Sequence, residues 1–426
     1  MNESLFQFIW QYSLYQPHQL TTTCSEVITV IHPGKKNTNA GPDFLEAKIR
    51  IGNIILVGNI ELHIHPNDWT VHQHHKDPAY QNIILHVVYY NGTVSDAPQN
   101  VPMLVMQPHI PAYIIQQYTQ LIQADSTLPC ANALPIVGIL IREAWMNRLL
   151  AERWEQKLVD WKQLLAKSAS DWRTLFYWRL AANFGFKING DAFLLLAQCT
   201  PITVLAKHRE NLLQTEAILF GQAGFLEQTS TDDYHETLQK EYRYLRQKYQ
   251  LSPMPNHLWK FLRLRPANFP TVRIAQFAAL LHRSIHLFSQ IVEASDVTLL
   301  HELFAVKASA YWNHHYRFGE GHEKESTKQL GSSSVDNLII NTVAPIQFLY
   351  AYEQGRHDLQ ENALRLLEQL MPEKNHLMER WQHHGWEIKN ALHSQALLQL
   401  YNGYCSAKRC LECSIGLNII RSRPDK

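Results

Sequence analysis

Up to about residue 110 the apolar residues of this chain fall in short β-branched or alternating runs, and from about residue 112 onward they recur every three or four positions. The first pattern belongs to strands, whose side chains point to opposite faces in turn; the second belongs to helices with one apolar stripe. A chain that switches period once is expected to be α+β. The reading is a small N-terminal α/β sheet domain over residues 1–110, followed by a large all-α domain over 111–426.

Within the first part, Leu5, Phe6, Ile9, Trp10 and Leu14 space a short amphipathic helix. SEVITVIHPG, closed by Pro33 and Gly34, reads as a strand, and DFLEAKIRI and IILVGNIELHIH read as two more joined by a Gly52-Asn53 turn. DPAYQ is expected to form one helical turn and NIILHVVYYNG a further strand; the four prolines of 93–111 then end the unit. Beyond it, IREAWMNRLLAERWEQKLVDWKQLLAK reads as a long helix. Further helices are expected at 171–184, 191–198, 201–220, 233–249, 271–293, 296–310, 335–353, 357–370, 376–383 and 387–402.

Lys and Arg number 39 against 38 Asp and Glu, so no global basic field announces a polyanion, and any such site is a local patch. No apolar run reaches the roughly 20 residues that span a bilayer, so no membrane partner is expected. The N-terminus lacks a basic segment and a small-residue cleavage site. Six cysteines among 426 residues do not make a disulfide scaffold, and the expectation is a reduced, cytoplasmic protein.

The hairpin carries the chemistry. If Gly52-Asn53 is a plain loop, Ile51 faces Ile54. One face then holds Leu45, Ala47, Ile49, Ile51, Ile54, Leu56, Ile60, Leu62 and Ile64, which is core. The other holds Glu46, Lys48, Arg50, Asn59, Glu61, His63 and His65, a file of carboxylate and imidazole groups suited to a cation. Asp43 falls beside Glu61 along the sheet but on the core face in strict register. A bulge at Gly58 or a relaxed strand start after Gly41-Pro42 is needed to bring it round, with Glu46 the substitute acid.

Pro42-Asp43 and Glu61-Leu62-His63, on the second and third strands of a helix, three-strand, helix, strand series, resemble the PD-(D/E)XK nuclease-like superfamily. That resemblance implies a divalent-metal-dependent phosphodiesterase or nuclease acting on nucleic acid. Asp43 and Glu61 would hold Mg2+ or Mn2+. His63 would be base or electrostatic partner where the superfamily has lysine, Lys48 would supply charge, and Glu46 or Glu3 would assist. A catalytically inactive binding or scaffold protein that keeps the fold is the alternative. A third reading is a zinc-dependent hydrolase drawing on His63, His65, His72, His74, His75 and Asp77. Against it, His72, His74 and His75 read as a solvated loop, and His86 as a hydrogen-bonded core histidine. The separated blocks GPDFLEAKI, NDWTVHQHHKDPAYQNIILHVV, RLRPANFPTVRIAQ, INTVAPIQFLYAY and YCSAKRCLECSIG resemble an uncharacterised bacterial family of unknown function over nearly the whole chain.

Two further features stand out. YCSAKRCLEC sets Cys405, Cys410 and Cys413 as C-x4-C-x2-C, and Cys130, in a loop between prolines, is the candidate fourth ligand. Zinc or an iron–sulfur cluster suits such a set, and so do reduced cysteines buried near a helix end. Arg263, Arg265 and Arg273 surround a proline-flanked helix start, where arginines either bind substrate phosphate or make structural ion pairs.

Overall fold

Ile51 pairs with Ile54 across the Gly52-Asn53 turn, as the sequence indicates, and the ladder runs in register to Ala47 opposite Gly58. There it shifts. The next pair is Phe44 with Ile60, so Leu45 and Glu46 together oppose Asn59, and Glu46 takes φ 56°. This is a β-bulge on the earlier strand, not at Gly58. N-terminal to it the faces exchange: Phe44 is fully buried where Leu45 was expected, and Asp43 comes level with Glu61. Beyond the bulge the sheet outruns its cover, leaving Ile54 65% exposed where the sequence reading made it core.

The computed structural model describes residues 1–92, 101–124, 127–229, 232–284 and 286–423. Its sheet contains β1 (Ile28–His32), β2 (Lys35–Lys36), β3 (Phe44–Ile51), β4 (Ile54–His63), β5 (Ile83–Val88) and β6 (Met103–Val105). The order is β1-β3-β4-β5-β6, with β2 also pairing β3. β1, β3 and β4 are antiparallel neighbours, whereas β4–β5 and β5–β6 are parallel. A parallel pair needs a crossover. Between β4 and β5 it is residues 64–82, with the short helix α2 (Asp68–Val71) and two 3-10 turns. The helix α1 (Glu3–Gln11) packs on β4 and buries Leu5, Phe6, Phe8, Ile9 and Trp10. The order helix, three strands, short helical element, strand is therefore the one read from the sequence. The additions are β2 and β6; of the proline-rich stretch, 93–100 lies outside the described residues.

Gly58 has a different job from the one expected of it. A Cβ there would lie 2.5 Å from Ile84 Cγ2 and 2.7 Å from the Asn82 carbonyl oxygen, so only glycine lets β4 lie this close to β5.

The chain divides into two compact units that do not follow the 1–110 and 111–426 split. One comprises Met1–Arg148, Glu379–Glu387 and Leu398–Lys426, the other Leu149–Met378 and Ile388–Leu397. In the first, α3 (Ala112–Gln123) packs against the C-terminal helix Ser414–Arg421. Lys408 Nζ donates to the Ile122 carbonyl at 2.7 Å and Gln117 Nε2 to that of Ser422, also at 2.7 Å. The long helix α4 (Ile139–Lys167) contributes residues to both units.

The second unit is helical, with more interruptions than periodicity suggests. The 201–220 segment is two helices, Ile202–His208 and Leu212–Gln222, and Asn211 caps the second by accepting from Gln214 N–H. The 271–293 segment breaks into Pro270–Arg283 and Leu287–Glu293, and the 296–310 segment ends at Phe304. A hairpin, His315–Arg317 with Glu320–Gly321, was not signalled at all. Between helices Ser332–Leu338 and Ala344–Gln354 lies a π-helical turn, Ile339–Val343. Pro345 explains it: proline cannot bond the carbonyl four residues back and clashes with it. That carbonyl, of Asn341, accepts from Asn183 Nδ2 at 3.0 Å instead. Among the described residues no single helix is long and apolar enough to cross a membrane; one bent pair, Phe186–Cys199 with Ile202–His208, passes by length and composition.

Candidate metal centre

The bulge brings the two acids together. Asp43 N–H donates to Glu61 Oε2 at 3.0 Å, and Leu62 N–H donates to Asp43 Oδ2 at 3.0 Å. Gln7, on α1, donates from Nε2 to Asp43 Oδ1 at 2.7 Å. Glu61 is only 5% exposed. Burial pushes both carboxyls above the usual carboxylate range; the Asp43 charge adds to this at Glu61, and Glu3 repels both. A cation is what would let both ionise.

Glu61 Oε1 faces imidazoles. His63 Nε2 lies 3.6 Å from it and His74 Nε2 lies 3.3 Å from it. The ring nitrogens of His63, His72 and His74 fall within 4.8 Å of one another. A tetrahedral ion with bonds of ~2.0–2.1 Å sets neighbouring donors about 3.4 Å apart. The Glu61–His63–His74 spacings bracket that value.

The surroundings hold the rings in a ligating form. His63 Nδ1 and His86 Nε2 share a hydrogen bond at 2.9 Å, which turns His63 Nε2 toward Glu61. Burial, with neighbouring imidazoles, lowers the pKa of His63 to about 2 and of His74 to about 4; burial lowers that of His86 to about 4. All three rings are neutral at pH 7, as a metal requires. His63 Nε2 and His74 Nε2, both facing Glu61 Oε1, are buried without hydrogen-bond partners. Two orphaned ring nitrogens beside one carboxylate call for an occupant.

The crossover shapes this cage. Asp68 accepts from His65 N–H at 2.8 Å and Asp77 from Ala79 N–H at 2.9 Å, fixing its two ends. Between them Gln73 takes φ 60°, which reverses the chain between His72 and His74. Trp69 is buried edge-on to His63 and His74. Tyr80 stacks on His74 with centroids 3.9 Å apart. Its hydroxyl is pushed up to about 12 by burial, then by Glu61 and Asp43.

Asp43, Glu61 and His63 thus converge as the sequence indicates, and His72 and His74 join them. His65 instead stacks on Tyr90, His75 is exposed, and Asp77 serves as a turn cap. Glu46 is exposed and pairs with Lys35 at 2.6 Å. Lys48 is exposed opposite Val57, four positions along β4 from Glu61, or about 13 Å at strand rise. Neither sits at the cluster. His86 is hydrogen-bonded, as expected, and its partner is His63 of the candidate cluster. Sequence reasoning missed Gln7 and Tyr80, which no local pattern marks.

The arginines do not gather. Arg263 and Arg265 are exposed. Arg273 is buried in its own helix's first turn, donating from Nη2 to Asn268 Oδ1 at 2.6 Å and Ser334 Oγ at 3.0 Å, and from Nη1 to Gln276 Oε1 at 3.1 Å. The cysteines do gather: Cys130, Cys405, Cys410 and Cys413 are buried around one cavity.

No curated protein matches the chain, and no solved structure does. Residues 3–376 of the 426 match the family described as "Protein of unknown function (DUF2851)", and the chain belongs to that family.

Proposed function

We propose that the N-terminal sheet carries a divalent transition-metal centre that hydrolyses esters, with phosphodiesters such as those of nucleic acid as the substrate class. The observation behind this reading is Glu61 Oε1, 3.3 and 3.6 Å from His74 and His63 Nε2, with His72 beside them. Three clustered imidazoles, with a carboxylate beside two of them, suit zinc better than magnesium, which prefers oxygen donors and retained water. Such an ion acts as Lewis acid and lowers the pKa of bound water. Exposed His72 marks the side open to solvent and substrate. Asp43 orients Glu61 through its backbone N–H, and Tyr80 holds a proton beside the carboxylates. The phosphodiester assignment rests on the PD-(D/E)XK-like order of elements. It also rests on exposed Lys36 of β2, whose charge acts on Asp43 and gives local attraction to an anion.

The test is cleavage of bis(p-nitrophenyl) phosphate and of labelled DNA and RNA with Zn2+, Mn2+ or Mg2+, wild type against Glu61→Gln and His74→Ala. The reading expects metal-dependent cleavage lowered by about 100-fold or more in both variants, since each removes a first-sphere ligand. Ion binding without cleavage of any substrate would leave the non-catalytic alternative standing.

A further inference from the structure

We propose that Cys130, Cys405, Cys410 and Cys413 form a second, four-thiolate metal centre that holds zinc or an iron–sulfur cluster and fastens the C-terminal tail to the loop before α4. Four of the chain's six cysteines, from opposite ends of the sequence, surround a cavity of about 20 Å3 closed by Pro129, Leu400, Tyr404 and Gly416. All four are free thiols and all are buried, whereas Cys24 is exposed and Cys199 half-buried. Four of six cysteines lining one small cavity is a density that ordinary core packing does not call for. Both metal types take four thiolates, and the C-x4-C-x2-C spacing serves either.

The surroundings suit thiolate sulfur. Cys413 stands at the N-terminus of the helix Ser414–Arg421, where the free N–H groups of the first turn favour a thiolate over a thiol. The indole N–H of Trp145 is buried with no hydrogen-bond partner. Lys408 lies near Cys410, so its charge offsets part of the negative charge of a tetrathiolate centre. Gly416 lets the ligand loop close: a Cβ there would sit 2.1 Å from the Cys410 carbonyl oxygen. The short 3-10 turn Cys410–Glu412 then presents Cys410 and Cys413 to the same space. Four thiols exchange their protons for the metal on binding.

The experiment uses the full chain purified without oxygen and assayed for zinc, iron and acid-labile sulfide. The variants are Cys405→Ser and Cys410→Ser, with Cys24→Ser as control and His74→Ala to remove the other centre. The expected result is either about one zinc per chain or iron with matching sulfide and visible absorbance. That metal is retained in Cys24→Ser and His74→Ala and lost in both cluster variants. Should the variants fail to fold, native thiol titration of wild type replaces them: four thiols unreactive until a chelator is added, then reactive together. A wild-type chain without thiolate-bound metal, or one whose four cysteines react without chelator, overturns the proposal. Because the readout is metal content and thiol reactivity, it stands or falls apart from the hydrolase reading.

Discussion

His63 uses its two ring nitrogens for two purposes: Nδ1 is held by His86, and Nε2 is aimed at the space beside Glu61 and His74. Outer-shell partners of metal-ligating imidazoles are worth about 10–100-fold in affinity. His86→Ala is therefore expected to weaken zinc binding by about that factor in calorimetric titration, with His86→Gln recovering part of it; equal affinity in all three proteins would remove His86 from the site. Glu61 and His63 were legible because strand alternation puts residues two apart on one face. Asp43 was half-legible: its closeness to Glu61 follows from the motif, but its side depended on a bulge whose cause, the left-handed Glu46, carries no glycine or asparagine to announce it. His72 and His74 were offered only within a wider histidine-rich segment and weighed against a solvated loop, since a loop's histidines converge only through a backbone reversal at Gln73 and the packing of Trp69.

At the scale of elements, β4 carries Glu61 and His63 and β5 carries His86, the ring that orients His63, so the spacing of these strands sets the candidate site. Gly58→Ala forces a methyl into contact with Ile84 and the Asn82 carbonyl. It is expected to cost about 2 kcal/mol in urea unfolding and to weaken metal binding as well; a neutral effect on both would show that the strands tolerate the shift. In the second unit, the helix Leu212–Gln222 buries Glu216 with the Tyr234 hydroxyl donating to Oε2 and no partner at Oε1. Burial raises its pKa to about 7. Because the folded value exceeds the unfolded one, the proton's contribution to stability is complete below the unfolded pKa and is lost as pH rises through about 7. Glu216→Gln should remove that dependence, making the variant more stable than wild type near pH 8 by up to about 3 kcal/mol. A difference in melting temperature that is the same near pH 5 and pH 8 would contradict it. Helix breaks here escaped the sequence because an amphipathic stripe continues across a capped turn, as at Asn211, without losing its period.

For the whole molecule, the single change of period near residue 112 sufficed to show an α+β chain, yet it could not say which helices belong with the sheet. An amphipathic stripe requires a partner without specifying it. Ile114 and Leu121 of α3 and Ile415, Ile419 and Ile420 of the C-terminal helix are buried in the same unit as the strands, so the tail returns to the N-terminal part of the chain. The cysteine spacing was the one sequence signal of that return. The most direct test of the account is zinc or cobalt titration of the chain carrying Cys405→Ser and Cys410→Ser, with and without His63→Ala or His74→Ala. One ion per chain is expected, in a nitrogen- and oxygen-ligated environment by X-ray absorption, lost or weakened at least about 100-fold when either histidine is removed. Equal binding with and without those two imidazoles, or no binding in any of the proteins, would contradict it.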